Sequence, residues 1–175
     1  LADGRTIAFD GLVIATGAAP RHLPGSGGLA GVHVLRTLAD CLAIKADLDA
    51  APGRVVVVGA GFIGSEVAAT CREQGHEVTV VEALPRLVAA EDEALSKQLE
   101  RAFRKRKIAF ELNAHVTSVE TSESGVTVRL ENGKTAEAEL ALVIGRECYQ
   151  VEEDEALDYV YGVVPVRDQT AEDIL

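Results

Sequence analysis

Three glycines and an acid carry the plainest chemistry in this chain. Gly59, Gly61 and Gly64 fall on a G-x-G-x-x-G spacing directly after the unbroken run Val55 to Val58. In a dinucleotide-binding turn each glycine has its own task. Gly59 permits the tight turn, Gly61 lets backbone approach a pyrophosphate, and Gly64 lets the following helix pack closely on the strand. The pyrophosphate would rest on that helix's N-terminus, where unpaired N–H groups and the macrodipole favour an anion. A second short strand then delivers Glu82, about 20 residues beyond the glycines, where a carboxylate can accept hydrogen bonds from both ribose hydroxyls. That carboxylate would repel the 2′-phosphate of NADP, so the expected cofactor is NAD(H). Arg86, close behind, is the cation that would welcome the phosphate instead.

Other chemistries find little support. Cys41, Cys71 and Cys148 are an odd number, widely spaced, and form no C-x-x-C or Cys/His cluster, so reduced thiols are expected and no metal site. Cys41 and Cys71 are expected on apolar helix faces. His22 has no second ligand near it. The formal net charge of -11 and pI near 4.8 argue against nucleic acid or an anionic membrane as partner. No leader-like segment is recognisable and no apolar run reaches transmembrane length, so a cytoplasmic protein is expected. The chain starts at Leu1 rather than Met, which suggests an excised or processed chain.

The elements that must position these residues follow from periodicity. Asp3-Gly4 reads as a hairpin turn, residues 12–16 as a buried strand ending at Gly17, and the Pro/Gly-rich 18–28 as a linker. Residues 32–36 suggest an edge strand. Thr37 with Asp40 reads as an N-cap with an acid in the first turn of a helix running to about residue 51, with Leu38, Cys41 and Leu42 along its inward side. The helix after the glycines runs through Val67, Ala68 and Cys71 to a C′ glycine, Gly75. A third helix opens with the acids at 91–93, carries the stripe Leu95, Leu99, Ala102 and Phe103, and ends in the cations at 104–107. Residues 108–110 are a further parallel strand. The period then changes to two: segments 115–121, 125–130 and 134–140, joined through Gly125 and through Asn132-Gly133, make an antiparallel meander laid on the parallel sheet. A buried strand at 140–144 follows, and Gly145 then lies at the sheet's carboxyl edge, where open α/β sheets bind ligands. The tail from 147 has little period. The expected fold is α/β, a Rossmann-like parallel sheet with helices on its faces and a three-stranded antiparallel meander.

Four segments in this order, DGLVIATG at 10–17, GAGFIGSE at 59–66, VEALPR at 81–86 and LVIGR at 142–146, resemble the FAD/NAD(P)-dependent pyridine nucleotide-disulphide oxidoreductase superfamily. Residues 15–21 and the Phe62-Ile63 pair are most similar to bacterial ferredoxin and rubredoxin reductases, whereas 91–146 are more similar to dihydrolipoamide dehydrogenases. The resemblance covers residues 1–146. It implies an NAD(H)-binding domain at 31–146 inserted between pieces of an FAD domain, 1–30 and 147–175. It places Gly17 and Arg21 near FAD, adds Phe62 and Ile63 to the cofactor-binding residues, and turns Glu66 toward the nicotinamide. Read without the resemblance, Glu66 is an acid in the first turn that complements the helix dipole. The chain departs from the superfamily in having no upstream G-x-G-x-x-G and no downstream A-G-D, and in carrying Gly145-Arg-Glu-Cys-Tyr149 where G-R-x-P-N is usual.

The implied function is the NAD(H)-binding part of a flavin-dependent oxidoreductase that passes hydride from NADH to FAD and electrons on to a small electron-transfer protein of ferredoxin or rubredoxin type. The absence of C-x-x-C argues against self-contained disulphide reduction. A homodimer is an admissible assembly. The alternative is a non-catalytic nucleotide-binding module, engineered or shuffled, since the two halves resemble different subfamilies.

Overall fold

The computed structural model describes residues 5–11, 13, 19–50 and 53–144. The turn at Asp3-Gly4, most of the strand expected at 12–16, Gly17, Gly145, Cys148 and the tail lie outside the described residues. Pro20–Glu147 forms one compact unit.

Its framework is a five-stranded parallel sheet of β1 (Val32–Val34), β2 (Arg54–Val58), β3 (Glu77–Val81), β4 (Ala109–Glu111) and β8 (Leu140–Val143), in the order β1-β8-β2-β3-β4. The valine run of β2 sits near the centre because it can be buried on both faces. Val55 registers with Leu140 and Val78, and Val57 with Leu142 and Val80. These six side chains point to one side, where they meet Ile44 and Leu48 of α1 (Leu38–Ala50), Ala68 and Cys71 of α2 (Phe62–Glu73) and Phe103 of α3 (Glu93–Arg106). The intervening Val56, Val81 and Ala141 point to the other side and pack with Val119, Val126, Val128, Leu130 and Ala138 of the meander β5 (Val116–Ser122), β6 (Gly125–Leu130) and β7 (Thr135–Ala138). The three helices therefore cover one face and the meander the other. Each fully buried valine of this sandwich contributes about 1.5–3 kcal/mol over its exposed state.

The meander is closed by turns of the expected chemistry. Gly133 has φ +82° in the Asn132-Gly133 turn, and Gly125 has φ +124°. Arg54, at the start of β2, reaches across to the link between β7 and β8: its Nη2 donates to Glu139 Oε1 at 3.0 Å, and its backbone N–H also donates to that carboxylate. The guanidinium holds the Glu139 carboxyl below the usual carboxylate range.

Helix α1 differs from the expected orientation. Leu38 and Leu42 are 75% and 57% exposed and Cys41 is exposed, whereas Ile44 and Leu48 are buried. The helix LADCLAIKADLDA spreads alanines and leucines round its circumference, so its own periodicity selects no face, and the sheet takes the i, i+4 pair nearest it. Its N-terminus does form as expected: Asp40 Oδ2 accepts from Thr37 N at 2.7 Å and Thr37 Oγ1 accepts from Asp40 N at 3.2 Å, a reciprocal capping box. In α3 the stripe is half realised. Phe103 is buried and Leu99 partly so, Leu95 and Ala102 are exposed, and Ser96, which the stripe omits, is only 1% exposed. Asp92 caps α3 by accepting from Ala94 N, and Lys107 closes it in the left-handed conformation. No helix among the described residues is long and apolar enough to cross a membrane.

Candidate functional site

The site is the turn from β2 into α2 and the loop after β3 that lies against it. Gly59 has φ +103°, and a Cβ built there would stand 2.6 Å from the carbonyl oxygen of Ile144, so both conformation and space demand glycine. Its N–H donates to Val81 O at 2.8 Å, locking the end of β2 to the end of β3. A Cβ built on Gly64 would fall on the carbonyl oxygen of Gly59, which is the close helix-to-strand approach the spacing implies. Gly61 is different. It is the N-cap of α2 with φ -68° and ψ -171°, an ordinary extended conformation, and no side chain caps the helix. The first N–H groups of α2 are therefore left for an outside acceptor, and the missing side chain at Gly61 keeps the approach to them open.

Glu82 follows β3 and is anchored through its own backbone, its N–H donating to Glu111 O at 2.9 Å and its carbonyl accepting from Ala114 N at 2.9 Å. Its carboxylate is half-buried against the turn: Oε2 accepts from Ala60 N at 2.6 Å and Oε1 from Leu84 N at 2.8 Å. One acceptor position on each oxygen is thus engaged by backbone, which leaves each oxygen with further acceptor capacity next to the glycine turn. A pyrophosphate on α2 with a ribose diol on Glu82 fits this donor and acceptor set.

Phe62 and Ile63 are 45% and 42% exposed at the mouth of the turn. Glu66 is the fifth residue of α2, beyond the first turn, which contains no acid. That corrects its reading as a first-turn dipole partner, since the dipole effect fades within that turn. Glu66 instead lines an apolar groove of about 340 Å³ between α2 and α3, with Phe62, Ala69, Val88, Leu95 and Leu99. Arg21 is exposed. Gly17 and Gly145 lie outside the described residues. Arg86 is engaged inside the protein, its Nη1 donating to Glu91 O at 2.7 Å and Ser96 Oγ at 2.9 Å and its Nη2 to Ala89 O at 2.7 Å. Sequence reasoning missed Ala60 and Ser96. Neither has a type or spacing that marks it: Ala60 acts through its backbone N–H and carbonyl, and Ser96 through a hydroxyl whose partners, Arg86 and the Leu87 carbonyl, are brought close only by the fold.

Among the described residues no three His, Cys, Asp or Glu side chains gather as metal ligands. Cys41 is exposed, not on a buried face as expected. Cys71 is buried in the core, and desolvation pushes its thiol up, making it a poor nucleophile.

The chain is similar to known proteins over most of its length. Residues 1–170 match the family model described as pyridine nucleotide-disulphide oxidoreductase. The chain is 43% identical over 145 residues to the ferredoxin--NAD(+) reductase component of the p-cumate 2,3-dioxygenase system of Pseudomonas putida, covering 82% of this chain and 35% of that protein. Among solved structures, a ferredoxin reductase from Rhodopseudomonas palustris superposes with a TM-score of 0.71 at 34% identity, over 81% of this chain and 36% of that one. A water-forming NADH oxidase from Lactobacillus brevis, bound to NADH, gives 0.69 at 28% identity, over 81% and 32%. The chain spans about a third of the length of the curated relatives it matches. Matched by the family model over nearly its whole length, this chain belongs to the pyridine nucleotide-disulphide oxidoreductase family, whose members depend on FAD and NAD(P)H.

Proposed function

We propose that residues 31–146 are the NAD(H)-binding domain of a cytoplasmic flavin-dependent reductase, with 1–30 and 147–175 belonging to its FAD domain, and that the whole enzyme serves a small electron carrier of ferredoxin or rubredoxin type. The observation that carries the cofactor assignment is the Glu82 carboxylate held against Ala60 N–H beside the uncapped N-terminus of α2. The similarity to ferredoxin and rubredoxin reductases supports the class of acceptor, and the compact unit Pro20–Glu147 supports the domain division.

When bound, NADH supplies a hydride and FAD accepts it. This chain's residues bind and orient. The free N–H groups at the start of α2 hold the pyrophosphate, Gly61 admits it, and Glu82 takes the adenosine ribose and disfavours a 2′-phosphate. Phe62 and Ile63, exposed at the mouth of the turn, would contact the dinucleotide, and Glu66, in the second turn of α2, would serve its nicotinamide side. Gly145 toward NAD(H), and Gly17 and Arg21 toward FAD, complete the proposed contacts.

Calorimetric titration of the purified chain with NADH, NADPH and FAD tests the assignment. Tight NADH binding, weaker NADPH binding and no FAD binding are expected. Binding of FAD in preference to NADH would make this a flavin site and overturn the domain assignment.

A further inference from the structure

The loop between β3 and α3 contains a strained residue that nothing in the cofactor reading uses. Val88 has φ +43°, a left-handed conformation that a β-branched residue adopts only under constraint. It is 4% exposed, and its N–H donates to Ala60 O at 2.8 Å. Ala60 is the second residue of the glycine turn, and its own N–H is the group held by Glu82. Both backbone polar atoms of Ala60 are therefore bonded to this loop, the N–H to Glu82 and the carbonyl to the strained residue, with Ser65 Oγ of α2 also donating to that carbonyl at 3.4 Å.

The loop on either side of Val88 is tied down by the Arg86 guanidinium. Its planar fork of donors takes the carbonyls of Ala89 and Glu91 and the hydroxyl of Ser96. Ser96 in turn donates from Oγ to Leu87 O at 2.7 Å, and Glu91 N closes the loop onto Val88 O at 2.9 Å. The carbonyls of residues 87, 88, 89 and 91 are all tied down, and the only side chains that do so are Arg86 and the buried Ser96 among the bonds described. A guanidinium committed to two loop carbonyls and the Ser96 hydroxyl of α3 has few donors left to turn outward.

We propose that Arg86 is a positioning residue for the pyrophosphate turn: through Ser96 and the strained Val88 it steadies Ala60, by its carbonyl, where the dinucleotide needs it, and it is not a ligand for a 2′-phosphate. The affinity consequence rests on the NADH reading above; the effect on the turn does not.

The test uses Arg86→Met and Ser96→Ala in the 175-residue chain, with backbone amide hydrogen exchange and cofactor titration. With Arg86→Met, exchange at the Val88 and Ala60 amides should quicken while that at Val128, in the distant meander, stays unchanged. NADH and NADPH should both weaken by about fivefold or more, the scale of one lost hydrogen bond, with their ratio preserved. Ser96→Ala, which removes the link to Leu87 O and one of the guanidinium's three acceptors, should shift the same amides in the same direction and keeps the test open if Arg86→Met does not fold. A selective loss of NADPH binding would make Arg86 a phosphate ligand and overturn the proposal. So would unchanged exchange at Val88 and Ala60 in folded variants. If the unmodified chain bound neither cofactor, the NADH reading would fail and the exchange measurements would still decide whether Arg86 braces the turn.

Discussion

Glu82 and the three glycines divide the work of one turn, and the division is testable residue by residue. On the proposed assignment, Glu82→Arg replaces an acceptor for the ribose hydroxyls with a cation suited to a 2′-phosphate. Charge-assisted hydrogen bonds contribute about 1.5–3 kcal/mol, so the preference for NADH over NADPH should fall by roughly 10- to 100-fold or reverse. Equal affinities for the two cofactors in the unmodified chain would show that Glu82 does not read the ribose. The glycines should separate by cause. Gly61 already has a backbone conformation open to any residue, so Gly61→Ala should leave the melting temperature nearly unchanged and weaken NADH binding by obstructing the pyrophosphate. Normal NADH binding by that variant would mean the phosphate is held elsewhere. Gly64→Ala drives a methyl group onto the Gly59 carbonyl and should destabilise the fold itself by about 1–3 kcal/mol, the usual scale for overpacking. Thermal denaturation distinguishes the two.

At the scale of elements, α1 depends on its cap more than on its pattern. The Asp40 carboxyl is lowered chiefly by the backbone N–H of Thr37, then by the Thr37 side chain and the N–H of Arg36. A carboxyl lowered on folding stabilises the native state in full above its ordinary unfolded value, and that stabilisation is lost as pH falls through the lowered native value. Asp40→Ala should therefore be less stable than the unmodified chain at neutral pH, and the gap should close as the solution is acidified into the carboxylate range. Urea denaturation across that range measures it. A gap that stayed constant with pH would show that the carboxylate's charge contributes nothing to the cap. The short β1 rests on β8 with Val32, His33 and Val34 in parallel register with Ala141, Leu142 and Val143, and His33 Nε2 meets Asp47 Oδ2 of α1 at 2.7 Å, so loosening α1 should also loosen this edge.

For the whole molecule the decisive fact is proportion. The chain covers 35% of the length of the p-cumate system's reductase component, and the described residues contain one dinucleotide-binding turn of the kind set out above. Hydride transfer needs the nicotinamide held about 3–3.5 Å from its acceptor in an aligned geometry. The 175-residue chain should therefore bind NADH yet show no NADH oxidase or dye-reductase turnover, even with FAD added. NADH absorbance followed with ferricyanide present should stay flat. Sustained, protein-dependent loss of that absorbance, abolished by Gly61→Ala, would show that these residues suffice for catalysis.

What was legible in the sequence is what local chemistry decides. The valine run of 55–58 reads as a strand buried on both faces, three glycines at that spacing between it and a second strand ending in an acid read as a dinucleotide-type turn, Asn132-Gly133 between alternating segments closes a hairpin, and Thr37 with Asp40 starts a helix. Those signals gave the order of the elements, the meander on the sheet and the glycine turn beside Glu82. The tertiary structure alone decided which way a weakly patterned helix faces, because Leu38, Cys41, Leu42, Ile44 and Leu48 offered more than one apolar side and only contact with the sheet chose Ile44 and Leu48. It also decided what Arg86 does. From the sequence that cation stands near the ribose acid and invites a phosphate. In the fold its partners are two backbone carbonyls and the hydroxyl of a buried serine, groups with no signature in sequence because their significance comes only from where the loop, the helix and the turn meet.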